Sequence, residues 1–145
     1  MSDRLAYALK QFCDKLREVV EGGNEVAIIS HLDADGITSG SIMAMALRRM
    51  GARYSVRTVS GMNASVLESI KTDGRDFYII TDLGWGWTFP LRNAIGDKWL
   101  IIDHHQAPEI EASKERQHDD GQILNPWNYG IDGGREVSAG GMAYM

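Results

Sequence analysis

The sequence predicts an α/β fold, a parallel sheet with helices on both faces. Short, β-branched apolar runs at 26–29, 77–81 and 99–102 have the length and composition of buried strands. Stretches whose apolar residues recur at three- and four-residue spacing lie between such runs, so strands alternate with helices. Each of the three runs also empties into acidic or imidazole side chains. The first leads into His31-Leu32-Asp33-Ala34-Asp35-Gly36, the second into Asp82-Leu83-Gly84, and the third into Asp103-His104-His105. Open α/β sheets place their active sites at the carboxyl ends of strands.

In chain order, Leu5, Leu9, Phe12, Leu16, Val19 and Val20 predict an amphipathic helix over 3–21 that covers one face of the sheet. Gly22-Gly23-Asn24 stops it. Cys13 is placed on the apolar stripe and assigned to the core; as the single cysteine it allows no internal disulfide, which fits a reducing compartment. After the first strand and its acidic turn, Ile37, Ile42, Met43, Ala46, Leu47 and Met50 are expected on the buried face of a helix ending at Gly51. Residues 54–59 alternate as a second strand. Arg48, Arg49, Arg53 and Arg57 read as a solvated helix end and strand edge, because cations are favoured at a helix C-terminus.

Asn63 can cap a short helix carrying Val66, Leu67 and Ile70, and Thr72-Asp73-Gly74 turns the chain into the 77–81 strand. Trp85, Trp87 and Phe89 follow Asp82; they can stack on bases or plug the end of the sheet, and the plug is favoured. Residues 89–95 predict a short helix with Pro90 in its first turn, leading to the 99–102 strand. The 107–122 stretch is polar without apolar period and reads as a surface excursion, with His118 a solvated histidine. Residues 123–126 suggest a further edge strand, and 138–145 begin a helix.

At 145 residues, 43% hydrophobic and 24% charged, the chain has the size and composition of one globular domain. A net charge of −5 argues against a broad basic surface for nucleic acid. Carboxylates gathered around a cation inflate the acidic count, however, and bound divalent ions would reverse the local sign. No apolar run approaches the roughly 20 residues of a membrane span, and the start is no signal peptide. The expectation is a cytoplasmic protein with no membrane partner.

On an extended backbone alternate residues face one way, so His31, Asp33 and Asp35 can converge on one point. Oxygen ligands with one imidazole suit manganese or magnesium. Asp82, alone at the tip of a central strand, is the natural bridge between two ions. Asp103 is expected to orient the His104 ring, as carboxylates do behind a ligating imidazole. The rings of His104 and His105 should diverge, so that only one binds an ion directly. Each residue has a plainer reading: Asp33 or Asp35 as a helix cap, Asp103 as a strand-end cap, His105 as a satisfied histidine. These would have to hold together at the ends of three separate strands.

The three ordered motifs resemble those of the DHH phosphoesterase superfamily, named for the triplet found here at Asp103 to His105. Within it, the chain looks most like the amino-terminal part of the RecJ-like, archaeal-type single-strand nucleases. The resemblance implies a Mn2+- or Mg2+-dependent phosphodiesterase, a RecJ-like exonuclease using a two-metal-activated hydroxide. His31, Asp33 and Asp82 would hold one ion, and Asp35, Asp82 and His104 the other. His105 would contact a phosphate oxygen as an imidazolium, making His105 and Asp103 the catalytic pair. Ser138, Gly140 and Gly141 resemble a small-residue segment of those nucleases; they read equally as substrate-binding contacts to an anion or as close helix packing.

Single-stranded DNA or RNA would be the substrate, with replication or repair proteins as partners. An oligonucleotide, cyclic-dinucleotide or pyrophosphate hydrolase would use the same site, and a non-catalytic replication-associated scaffold is a reading from another class. The resemblance also implies that residues 1–145 are the amino-terminal part of a DHH domain, without a fourth-motif aspartate or the carboxyl-terminal substrate domain. Asp119, Asp120 and Asp132 lie in polar or Gly-rich stretches and make no convincing substitute. This chain alone is therefore expected to be a weak or inactive catalyst.

Overall fold

The computed structural model describes residues 3–106 and 121–145. His118, Asp119, Asp120 and nearly all of the expected surface excursion lie outside the described residues. Five parallel strands form one sheet in the order β2-β1-β3-β4-β5. They are β1 (Val26–His31), β2 (Tyr54–Val59), β3 (Phe77–Thr81), β4 (Trp99–Ile102) and β5 (Ile123–Leu124). The helices are α1 (Asp3–Glu21), α2 (Ala34–Arg49), α3 (Ala64–Asp73), α4 (Thr88–Ile95) and α5 (Ala139–Tyr144), with a 3-10 turn at Pro126–Tyr129.

Side chains alternate across each strand, so the sheet has two cores. Val26, Ile28, Phe77, Ile79, Leu100 and Ile102 pack under α1, α2 and α5. Ala27, Ile29, Tyr78, Ile80, Trp99 and Ile101 pack under α3 and α4. Central strands buried on both faces have no polar side to show, which is why they read as unbroken apolar runs. The face changes where the strand order reverses. Right-handed crossovers from β1 to β2 and from β2 back past β1 to β3 must use opposite faces. That reversal opens a crevice outside the carboxyl ends of β1 and β3.

Two expectations about helices are corrected. Cys13 is exposed, because the buried stripe of α1 is Leu5, Ala8, Phe12, Leu16 and Val19, and Cys13 lies one residue round from it. On α2 the buried residues are Gly36, Ser39, Gly40, Met43 and Leu47, whereas Ile37 and Met50 are exposed. Small residues face the sheet because the first turns of α2 run very close to β1. A Cβ on Gly36 would sit 2.2 Å from the His31 carbonyl oxygen.

The aromatics after β3 divide. Trp85 and Trp87 pack against the second core as a plug, and Phe89 is 74% exposed. Arg53 donates to the Gly23 carbonyl at 3.0 Å. Arg48 and Arg49 sit in the last turn of α2, at the end of the sheet away from the crevice. No described helix is long and apolar enough to cross a membrane.

Candidate metal centre

Strand register assembles the site. Ser30 pairs with Thr81 and Thr81 with Ile102, so the next residues, His31, Asp82 and Asp103, come abreast at the carboxyl ends of three neighbouring strands. Asp82 has φ 59°, the single non-glycine residue with positive φ among the described residues. That conformation costs on the order of 1 kcal/mol, and Asp tolerates it better than most residues. The backbone amide still donates to the Ile102 carbonyl at 2.7 Å while the chain turns out of the strand.

The Asp82 side chain is fully buried, yet as a carboxylate neither oxygen accepts a hydrogen bond from any described residue. Burial, followed by a proton shared with the Asp33 carboxyl, pushes it up to about 6. An ionised carboxylate buried without a donor is costly. It becomes favourable when a cation occupies the space its oxygens face.

His31 and Asp33 lie on one side of it. His31 Nδ1 is 2.8 Å from Asp33 Oδ2 and 3.5 Å from Asp82 Oδ2, but it is buried and makes no hydrogen bond. One imidazole nitrogen and two carboxylates thus meet at one point. The expected convergence through extended alternation is corrected: α2 begins at Ala34, so Asp33 is its N-cap and Asp35 lies in its first turn. Asp33 serves both readings, for Oδ1 accepts the Gly36 amide at 2.9 Å while Oδ2 faces His31. The Gly36 amide is the main cause holding the Asp33 carboxyl below its ordinary value.

On the other side, His104 Nε2 is 3.2 Å from Asp82 Oδ1 and 3.7 Å from Asp35 Oδ2. The expected orienting role of Asp103 toward the His104 ring is also corrected. Buried Asp103 Oδ1 accepts the His104 and His105 backbone amides at 2.8 and 3.2 Å and faces His105 Nδ1 at 2.7 Å, and Oδ2 accepts the Trp85 amide at 3.0 Å. The ring of His104 is held instead by the Gly133 carbonyl, 2.7 Å from Nδ1. Because Asp103 bends the chain back through both amides, the two imidazoles do not diverge; their centroids are 4.6 Å apart. The Asp103 hydrogen bond pushes His105 up to about 8.

Two groups of potential ligands result, His31–Asp33–Asp82 and Asp82–His104–His105, each with donor atoms within 4.8 Å of one another. Asp82 is common to both. The donor set of carboxylates and imidazoles around a buried, unpartnered Asp82 fits divalent cations of the manganese or magnesium type. Carboxylates also flank the amino ends of the strands, but there Glu25 and Asp73 pair with Arg75, and Asp76 accepts the Glu25 amide. The difference between the two ends is compensation, not acidity.

Ser138 caps α5 by accepting the Gly141 amide at 3.3 Å. A Cβ on Gly140 would lie 2.9 Å from Thr38 Cγ2 of α2, which is the close-packing account of that glycine. Asn125, Trp127 and Gly133, which hold the backbone and ring of the triplet, carried no sequence signal beyond a turn-rich composition.

Residues 25–145 match the model of the DHH family, N-terminal domain. An uncharacterized protein of Methanocaldococcus jannaschii, MJ0831, is 30% identical over 125 residues, 83% of this chain and 28% of its own length. The single-stranded-DNA-specific exonuclease RecJ of Bacillus subtilis is 27% identical over 111 residues, 70% of this chain and 14% of its own length. A crystal structure of RecJ in complex with Mn2+ from Thermus thermophilus shares the fold at 20% identity and TM-score 0.71, covering 94% of this chain and 19% of that one. The chain thus spans less than a third of the length of the curated relatives it matches. With sheet order, strand-end motifs and a family match over nearly all of its length in agreement, this chain belongs to the DHH family.

Proposed function

We propose that this chain carries the metal centre of a RecJ-like phosphodiesterase acting on single-stranded DNA or RNA. One observation carries the reading: Asp82 is buried, unsatisfied and shared by two ligand groups, as a carboxylate bridging two ions would be. His31, Asp33 and Asp82 would hold one manganese or magnesium ion; Asp82 and His104 would hold the other together with Asp35, whose Oδ2 lies 3.7 Å from His104 Nε2. When bound, such a pair supplies a water acidic enough to ionise near neutral pH and offsets charge on the phosphoryl oxygens.

The chain's own residues do the rest. Asp103 fixes the His105 ring and favours its protonated form, so that an imidazolium faces the crevice and binds a phosphate oxygen. Asp33 anchors the start of α2 with one oxygen and keeps the other for the site. Trp85 and Trp87 close the end of the second core beside it. The RecJ relatives support a nucleic-acid substrate; small phosphodiesters and pyrophosphate would meet the same groups.

The test offers the full-length protein, extended through the expected carboxyl-terminal domain, labelled single-stranded DNA, RNA, dinucleotides and pyrophosphate with manganese, beside titration calorimetry of manganese alone. Asp82→Ala should remove both binding events and all hydrolysis, whereas His31→Ala should chiefly weaken one event. Manganese binding by Asp82→Ala at parental affinity would refute the proposal.

A further inference from the structure

We infer that the segment following β5 is a clamp that fixes the tautomer of His104, with Trp127 and Gly133 as its positioning residues. The inference rests on the metal reading above. The Gly133 carbonyl oxygen, 2.7 Å from His104 Nδ1, can only accept a hydrogen bond, so in the neutral ring Nδ1 carries the proton and Nε2 keeps its lone pair. Nε2 is the nitrogen facing Asp82 and Asp35. In the opposite tautomer Nε2–H would donate to Asp82 Oδ1, 3.2 Å away. That hydrogen bond would satisfy the buried carboxylate internally and compete with a cation. Clamping Nδ1–H removes this alternative and leaves both groups as ligands.

The carbonyl is held by a built arrangement. Trp127 Nε1 donates to the His104 carbonyl at 2.9 Å, tying the 3-10 turn to the triplet's backbone. The buried Asn125 side chain donates to the His105 carbonyl at 3.1 Å and accepts the Trp127 amide at 3.1 Å. Asp132 Oδ1 accepts the Gly134 amide at 2.8 Å, and the Ile131 amide donates to the Pro126 carbonyl at 3.1 Å, closing the loop that carries Gly133. A Cβ on Gly133 would fall 2.1 Å from the His104 carbonyl oxygen and 2.9 Å from Trp127 Nε1. Only glycine lets the two backbones approach so closely.

The experiment is nitrogen-15 NMR of the histidine side chains in the metal-free full chain at about pH 8.5, above the ordinary imidazole value, with His104 assigned by its loss in His104→Gln. The parent should show Nδ1 protonated and Nε2 bare. Trp127→Phe keeps the ring and loses the donor; Gly133→Ala displaces the carbonyl. Each should give mixed His104 tautomers and manganese affinity weaker by about tenfold or more, with Trp127→Phe retaining the parental fold by circular dichroism. A parent protonated on Nε2, or variants that lose affinity with the tautomer unchanged, would overturn the clamp. A parent that binds no manganese, yet loses its Nδ1–H tautomer in Trp127→Phe, would overturn the metal reading and leave the clamp standing.

Discussion

Replacing Asp82 with Asn should stabilise the metal-free protein while abolishing its response to manganese. The carboxyl rises from the ordinary 3.8 to about 6, chiefly through burial, which costs its ionised form about 3 kcal/mol at neutral pH. The folded state binds more protons than the unfolded state between those two values. Stability therefore falls as pH rises through that window and is flat above it. Asn carries no such penalty, and it keeps the shape and tolerates φ 59° at least as well. Its amide can donate to His104 Nε2, 3.2 Å from the present Oδ1.

The advantage of the variant should thus grow from well under 1 kcal/mol near pH 4 to about 3 kcal/mol above pH 7. For a chain of this size that is a rise in Tm of about 6–12 °C, read by thermal unfolding with a chelator present. Manganese at about a hundred times its Kd contributes roughly 2.7 kcal/mol for each ion bound, so two ions should lift the parent by about 5 kcal/mol, past the variant, and leave the variant unmoved. A variant less stable than the parent at pH 8 in chelator would show that Asp82 is not an uncompensated buried charge.

Other expectations concern neighbouring groups. In the full-length protein, His104→Ala should lose manganese in calorimetry, whereas His105→Ala should keep manganese and lose turnover through kcat; equal loss of metal would refute that division. Asp103→Asn should lower the His105 titration, now about 8 because of the Asp103 hydrogen bond, toward the ordinary imidazole value in an NMR titration. The stability this pair contributes is complete below about 6.5 and is lost as pH rises through about 8; an unchanged His105 midpoint in Asp103→Asn would count against the pair. Gly36→Ala must push the first turn of α2 off the His31 carbonyl, since the added Cβ would sit 2.2 Å away. A loss of about 2–3 kcal/mol together with weaker manganese binding is expected, and an unchanged denaturation midpoint would contradict it.

The sequence by itself determined the order of strands and helices, the parallel class and the residues at the strand ends. Apolar runs such as 77–81 and 99–102 are local signals, because a strand buried on both faces must be apolar at every position. The Asn63 and Pro90 signals around α3 and α4 are local too. Only the tertiary structure decided what each ligand candidate touches. Parallel register, set by pairings dozens of residues apart, brings His31, Asp82 and Asp103 abreast. It also determines that Asp103 serves His105 and that a carbonyl from a distant loop serves His104. Periodicity placed Cys13 and Ile37 on buried faces that packing left exposed. An apolar residue on a helix is buried only where a neighbour covers it, and glycines such as Gly36 are chosen for what approaches them. Both are properties of pairs of elements, which no single stretch of sequence encodes.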